Sequence, residues 1–289
     1  MSELSGAPTA AGGAQATGRL PTFLIVGAQK SGTTLLAALL DAHPQASCAL
    51  EPHFFRCNFD RGEGWYRSHF TGTTPVVGEK TPEYLHHSEA PARMAAVVPE
   101  AKLIAILRDP VARAYSHYWH RRRTGRERAS FEEAIEGDYN ASGERVAGYL
   151  DRGRYLEQLQ RLHANFPSGS ILVTLFEDLR DRPDETFARV CRFIGIDDSS
   201  PPEKLPVANP YRDYRPEWLW RNMYRYRLWK RLPRSWASAL GRWMTREREF
   251  APLDPETRGR LAATFAPDNE ALARWLGRDL SEWRWPAGS

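Results

Sequence analysis

Residues 23–41 constrain the fold more than any other stretch. Phe23-Leu-Ile-Val26 is a short apolar run that Gly27 stops, and it reads as a buried strand. Gly27-Ala-Gln-Lys-Ser-Gly32 is a turn, and Thr33 to Asp41 is helical, closed before Pro44. A strand, a glycine-bounded loop and a helix in that order begin an α/β unit.

The rest of the chain repeats the alternation. A second short strand and a loop fill 45–57. Val76–Gly78 leads through Glu79-Lys-Thr-Pro82 into a turn. Lys102–Leu107 is the clearest buried strand, and Ile171–Phe176 is another, ending at Glu177-Asp178. Helices are predicted near 60–70, 88–97, after Pro110, and over 131–137, 153–166, 183–194, 255–266 and 268–276, with 121–130 a charged connector. Residues 199–216 hold five Pro and no clean period, so they read as loop. Strands alternating with helices imply a parallel sheet between helical layers: an α/β, P-loop-like three-layer fold with a central parallel sheet flanked by helices. No linker divides the chain. Residues 1–20 read as a flexible tail and 21–289 as one domain.

Composition narrows the function classes. At 42% hydrophobic and 26% charged, the 289 residues are globular. The net charge of +4 is small, but its placement is uneven. Residues 108–128 carry seven Arg against two acids; 211–249 carry ten Arg, one Lys and five Trp against four acids. Fields of that sign suit an anionic ligand. Three Cys form neither a disulfide framework nor a metal spacing, which fits a reducing, cytoplasmic setting. No apolar run reaches the ~20 residues of a membrane helix, and the N-terminal stretch lacks a signal-peptide core.

Four constellations carry chemistry. The 27–34 loop places Lys30, Ser31, Gly32, Thr33 and Thr34 at a helix N-terminus, where backbone N–H groups meet an oxyanion. Its glycines have nucleotide P-loop spacing, but the Lys lies inside the loop instead of after the second Gly. Arg108 ends a strand on the ligand side of the sheet, and Ser116 lies eight residues on, so both can reach one phosphate; pairing of Arg108 with a nearby acid is the plainer reading. Glu51, in Glu-Pro-His-Phe-Phe, can be held partly desolvated, which would make it a better base; a surface or capping role is the alternative. Lys80, in Glu-Lys-Thr-Pro, can neutralise charge on a transferring group or simply pair with an acid.

Together, FLIVGAQKSGTTLLAALLDAHP, EPHFF, WYRSHF, GEKTPEYL, LIAILRDPVARAYSHY, RYLEQLQRL, VTLFEDL and LDPETRGRLAATFAPDNEALARWLGRD resemble the phosphoadenosine-phosphosulfate-dependent (PAPS-dependent) sulfotransferases. The likeness is nearest to the heparan sulfate-type enzymes and related bacterial ones, and spans about 23–280. It implies that Lys30, Ser31, Gly32, Thr33 and Thr34 hold the 5′-phosphosulfate, and that Arg108 and Ser116 hold the 3′-phosphate. It also implies that Glu51 is the base, that Lys80 lies beside the acceptor and that Tyr155 helps line the donor site. Lys30 and Lys80 would share the catalysis. The family's late Lys-Gly-Arg loop has no counterpart; Arg246 or Arg248 would stand in for it. The 199–250 region is expected on the acceptor side or as a lid.

The expected reaction is in-line transfer of a sulfuryl group from 3′-phosphoadenylyl sulfate to a hydroxyl of a small-molecule or glycan acceptor. Adenosine 3′,5′-bisphosphate is the other product, and neither metal nor nucleic acid is needed. A nucleoside triphosphate-dependent phosphotransferase competes with this reading, weakened by the displaced Lys and the missing acidic metal partner. A module binding an anionic polymer through 211–249 is the reading from another class.

Overall fold

A computed structural model describes residues 18–137, 147–199 and 251–284, together with the backbone of 212–214 and 245–247. The strands are β1 Phe23–Gly27, β2 Ala46–Leu50, β3 Val76–Lys80, β4 Lys102–Leu107 and β5 Ile171–Leu175. They form one sheet in the order β2-β3-β1-β4-β5, and every neighbouring pair is parallel. β6 Arg212–Tyr214 and β7 Thr245–Glu247 pair antiparallel as a separate ribbon. The helices are α1 Thr33–Asp41, α2 Phe54–Cys57, α3 Gly62–Arg67, α4 Ala90–Val97, α5 Pro110–Arg123, α6 Phe131–Glu136, α7 Tyr155–His163, α8 Phe176–Asp181, α9 Pro183–Ile194 and α10 Pro255–Leu276.

Alternation along β1 and β4 feeds two cores, as a sheet covered on both faces requires. Leu24, Val26, Leu103 and Ala105 pack with Met94 of α4 and Leu159 and Leu162 of α7. Phe23, Ile25, Ile104 and Ile106 pack with Leu36 and Leu40 of α1 and Val190 of α9. A third cluster joins α5, α6 and α10 through Val111, Tyr118, Phe131 and Phe265. The expected central parallel sheet flanked by helices is the architecture found. Among the described residues no helix is long and apolar enough to cross a membrane.

Several expected boundaries need correction. Residues 255–266 and 268–276 form one helix, α10, with Pro267 inside it. An interior proline costs about 3 kcal/mol, but Leu261 and Phe265 before it and Leu272 after it are all buried, so packing holds both halves in register. Phe176 does not end β5; it opens α8. α5 reaches Arg123, so the charged connector starts later than expected. The loop after β2 contains the one-turn α2. The 60–70 segment divides into a 3-10 turn at Phe59–Arg61 and α3. The tail to residue 17, the segment 200–211 and most of the Arg/Trp stretch lie outside the described residues.

Two close contacts fix neighbouring elements against each other. Arg278, just past α10, donates to both carboxylate oxygens of Asp178 in α8, at 2.7 and 2.5 Å. Gly78 lets β3 lie against β1: a Cβ there would stand 2.4 Å from the Phe23 ring. Overpacking of this kind costs about 1–3 kcal/mol. Gly78→Ala is expected to lower the urea unfolding free energy by that amount, and Phe23→Leu in the same chain to restore part of it. An unchanged midpoint in Gly78→Ala would contradict the packing described.

Candidate active site

Parallel pairing brings the C-terminal ends of β1 to β4 to one edge. Lys80 stands opposite both Ile25 of β1 and Leu50 of β2. The connections from β1 and β4 leave in opposite directions across the sheet, and such a switch point opens a crevice between the two strands. The loop after β1 and Arg108 after β4 form its walls.

Gly32 enters α1 with φ 88°, in the left-handed region, and no side chain caps the helix. A Cβ on Gly32 would also approach the Phe176 ring at 3.0 Å. Glycine at this position therefore lets the loop wrap tightly and leaves the first N–H groups of α1 to an incoming acceptor. Thr33 is buried and Thr34 exposed in the first turn. Ser31 is fully buried, and its hydroxyl has no hydrogen-bond partner within the described protein.

Lys30 is also left-handed, at φ 73°. Arg108 Nη1 donates to its carbonyl at 3.1 Å. The Arg108 guanidinium lies over the Phe176 ring, 4.6 Å from its centroid, and the Tyr155 hydroxyl donates to the Arg108 carbonyl at 2.8 Å. Arg108 is thus held at backbone and side chain, and among the described residues no acid forms an ion pair with it in the way the plainer reading supposed. Tyr155 acts on it from behind. Ser116 is half-buried on α5, roughly two turns beyond Arg108. Asp109 caps α5 through the Val111 N–H at 3.0 Å and pairs with Arg258 at 3.5 Å; it is occupied as a structural anchor.

On the other side of β1, Lys80 is almost wholly buried and its Nζ lies 2.5 Å from Glu51 Oε1. The same ammonium donates to Thr34 Oγ1 at 3.3 Å. Glu51 also donates its N–H to the Lys80 carbonyl at 2.9 Å. The expected desolvation of Glu51 is not found. Its side chain is 45% exposed, because the aromatic residues that follow it turn away into the core. The desolvated carboxylate is Glu79, the residue before Lys80 in β3. Burial pushes the Glu79 pKa up to about 7 against hydrogen bonds from Tyr66, Tyr84 and Thr81. Tyr66 donates to it at 2.7 Å, and Tyr84 accepts the Phe55 N–H at 3.3 Å. Strand alternation sends Glu79 into that core and Lys80 into the crevice.

The structure therefore brings Lys30, Thr34, Glu51, Lys80 and Arg108 to one edge, with Ser31, Gly32 and Thr33 in the loop between. Residues given no role in the site from sequence also stand there, Arg123 among them, for which the sequence favours a solvated-face or packing role over added field. Phe176 supports Arg108, and Arg123 on α5 adds to the positive field on Lys30. Gln29 and Glu83 reach each other's surroundings through Arg152. None of these has a spacing that a sequence would reveal. The side chains of Arg246 and Arg248 lie outside the described residues.

Burial, and then the charges of Arg123, Arg108 and Lys80, lower the Lys30 pKa from 10.5 to about 8. Between those two values the unfolded chain binds a proton that the folded chain has released, so stability rises with pH across the window. The unfolding free energy of the wild type minus that of Lys30→Met is expected to be flat below pH 8 and to climb from pH 8 towards 10.5. A difference that stays level throughout would show that Lys30 is not depressed.

Comparison with known proteins gives this edge a family. The family model described as Sulfotransferase domain matches residues 20–207. The mouse bifunctional heparan sulfate N-deacetylase/N-sulfotransferase 3 is 32% identical over 286 residues, covering 92% of this chain and 31% of the relative. The mouse heparan sulfate glucosamine 3-O-sulfotransferase 3B1 is 34% identical over 188 residues, covering 62% of this chain and 47% of the relative. The chain thus spans about a third of the first of these relatives and about half of the second. The crystal structure of a sulfotransferase from Alicyclobacillus acidocaldarius superposes with a TM-score of 0.71 at 27% identity, covering 92% of this chain and all of that one. With the family model matching well over half of its length, this chain belongs to the sulfotransferase domain family.

Proposed function

We propose that the chain transfers a sulfuryl group from 3′-phosphoadenylyl sulfate to a hydroxyl of a small-molecule or carbohydrate acceptor, releasing adenosine 3′,5′-bisphosphate. One observation carries the reading. Lys30, Lys80 and Arg108 converge at the open edge of the sheet around an uncapped helix N-terminus, with Glu51 the carboxylate set against them. The residues fit a phosphosulfate. The buried Ser31 hydroxyl lacks a partner, and the first amides of α1 are free of side-chain caps. This makes the loop P-loop-like in use, with its Lys moved inward. Arg108 and Ser116 would take the 3′-phosphate, and Tyr155 would line the site by holding Arg108.

Glu51 accepts the proton of the acceptor hydroxyl as that oxygen bonds to sulfur and the bond from sulfur to the bridging phosphate oxygen breaks. Lys30, Lys80 and the loop amides of Ser31 to Thr34 stabilise the charge that collects on the sulfuryl and leaving-phosphate oxygens. Lys80 is shared: paired with Glu51 at 2.5 Å, it must turn towards the sulfuryl group for Glu51 to act as a base. The three unpaired cysteines suit a cytoplasmic enzyme, and we place acceptor selection in the 199–250 region.

Glu51→Gln is expected to cut turnover by roughly 10²–10⁴-fold while calorimetric affinity for adenosine 3′,5′-bisphosphate stays at the wild-type level. Full turnover in that variant would remove Glu51 as the base. Arg108→Gln should weaken bisphosphate binding by about 1.5–3 kcal/mol, the range for a charged hydrogen bond. Binding of ATP with magnesium in place of the bisphosphate would move the chain to the phosphotransferases.

A further inference from the structure

Three side chains, Arg152, Glu83 and His53, run between the two halves of the site. Arg152 Nη1 donates to Gln29 Oε1, inside the 27–34 loop, at 3.0 Å. The same nitrogen lies 3.7 Å from Glu83 Oε1. The other oxygen of Glu83 faces His53 Nδ1 at 3.3 Å and Arg56 Nη1 at 3.4 Å. His53 Nε2 in turn lies 3.8 Å from Glu51 Oε2. Arg152 and Glu83 are largely buried, with side chains 15% and 18% exposed.

Both ends of this chain of contacts are backbone that needs outside support. Glu51 and His53 have φ of 57° and 52°. Non-glycine residues keep such angles only where the surroundings over-determine them. Lys30, next to Gln29, is left-handed as well. The root of Arg152 is fixed by contrast. It sits in the 3-10 turn Asp151–Gly153, and a Cβ on Gly153 would come within 2.8 Å of Pro110 and 2.9 Å of Phe265. The His53 ring 3.3 Å away, helped by Arg56 and Arg152, holds the Glu83 pKa down at about 2, so the link stays ionic at neutral pH.

We propose that Arg152 is a positioning residue that couples the donor loop to the Glu51 loop, so that occupancy of the first sets the geometry of the second. One nitrogen, Nη1, faces the Gln29 amide oxygen and the Glu83 carboxylate at once, and the rigid guanidinium plane fixes where that nitrogen stands, which an ammonium on a flexible stem does not. A phosphosulfate gripped by the loop fixes Gln29, and the constraint passes through Arg152 and Glu83 to His53, two residues from Glu51. The inference rests on the reading of the 27–34 loop as the donor site.

The test follows the His53 ring by NMR in full-length protein carrying ¹³C-labelled histidine, with the signal assigned by His53→Gln. Adenosine 3′,5′-bisphosphate is titrated in, with calorimetry in parallel. In the wild type the His53 signal should move and saturate with the bisphosphate. In Arg152→Lys the movement should fall to less than about a third while the bisphosphate still binds, and kcat should drop more than acceptor KM changes. Gln29→Ala, which leaves Arg152 and Glu83 in place, should lose the movement too and serves if Arg152→Lys does not fold. Equal movement in wild type and either variant overturns the coupling. Failure of the bisphosphate to bind the wild type at all overturns the donor reading instead, and this inference with it.

Discussion

The register that β1 shares with β3 on one side and β4 on the other decides where each functional group stands. Lys80 lies opposite Ile25, and Gly27 lies opposite Ala105. Three chain segments far apart in sequence therefore end side by side. The loop after β1 comes between the ends of β3 and β4, and its amides have a lysine on one flank and an arginine on the other. A slip of one residue in β3 would exchange Glu79 and Lys80, turning an ammonium into the core and a carboxylate towards the loop after β1. The same pairing that buries Leu24, Val26, Phe23 and Ile25 in two cores thus also enforces the sign of charge in the crevice.

That sign is maintained at some energetic cost. Lys30, Lys80, Arg108 and Arg123 share one neighbourhood, and Lys30 is depressed by burial and by the other three. Glu51 offsets part of this through Lys80. An arriving dianion would relieve the repulsion, which makes the site's affinity partly a release of like-charge crowding already present. The Glu79 carboxylate lies one residue away but on the opposite face, satisfied by Tyr66 and Thr81. It does not neutralise the crevice; it ties β3 to the aromatic cluster on which the Glu51 loop rests.

Much of this is legible in the amino-acid order. Apolar runs bounded by glycine or by Arg-Asp-Pro place β1 and β4, and the Thr33–Asp41 helix can be read to its ends, because those segments obey one period and carry their own stop signals. The loop that carries Lys30 to Thr34 is legible because a glycine-bounded turn into a helix N-terminus is local in sequence. What escapes is non-local. Pro267 stays inside α10 only because distant residues pack on both sides of it. Glu51 keeps its exposure because Phe54 and Phe55 go inward alone. Phe176, which reads as the end of a strand, is the support for Arg108, and Arg152 meets Gln29 across more than a hundred residues. Such pairings depend on the closed fold and leave no periodic trace.

Arg278 supports Arg108 at two removes. Its guanidinium grips Asp178 with two hydrogen bonds, and Asp178 accepts the Leu175 N–H at the start of the helix that Phe176 opens. Phe176 is the ring on which Arg108 rests. The ring beneath Arg108 is thus braced from the far end of the chain, and loss of the Arg278 grip on Asp178 would loosen the support of an arginine with which residue 278 has no contact of its own.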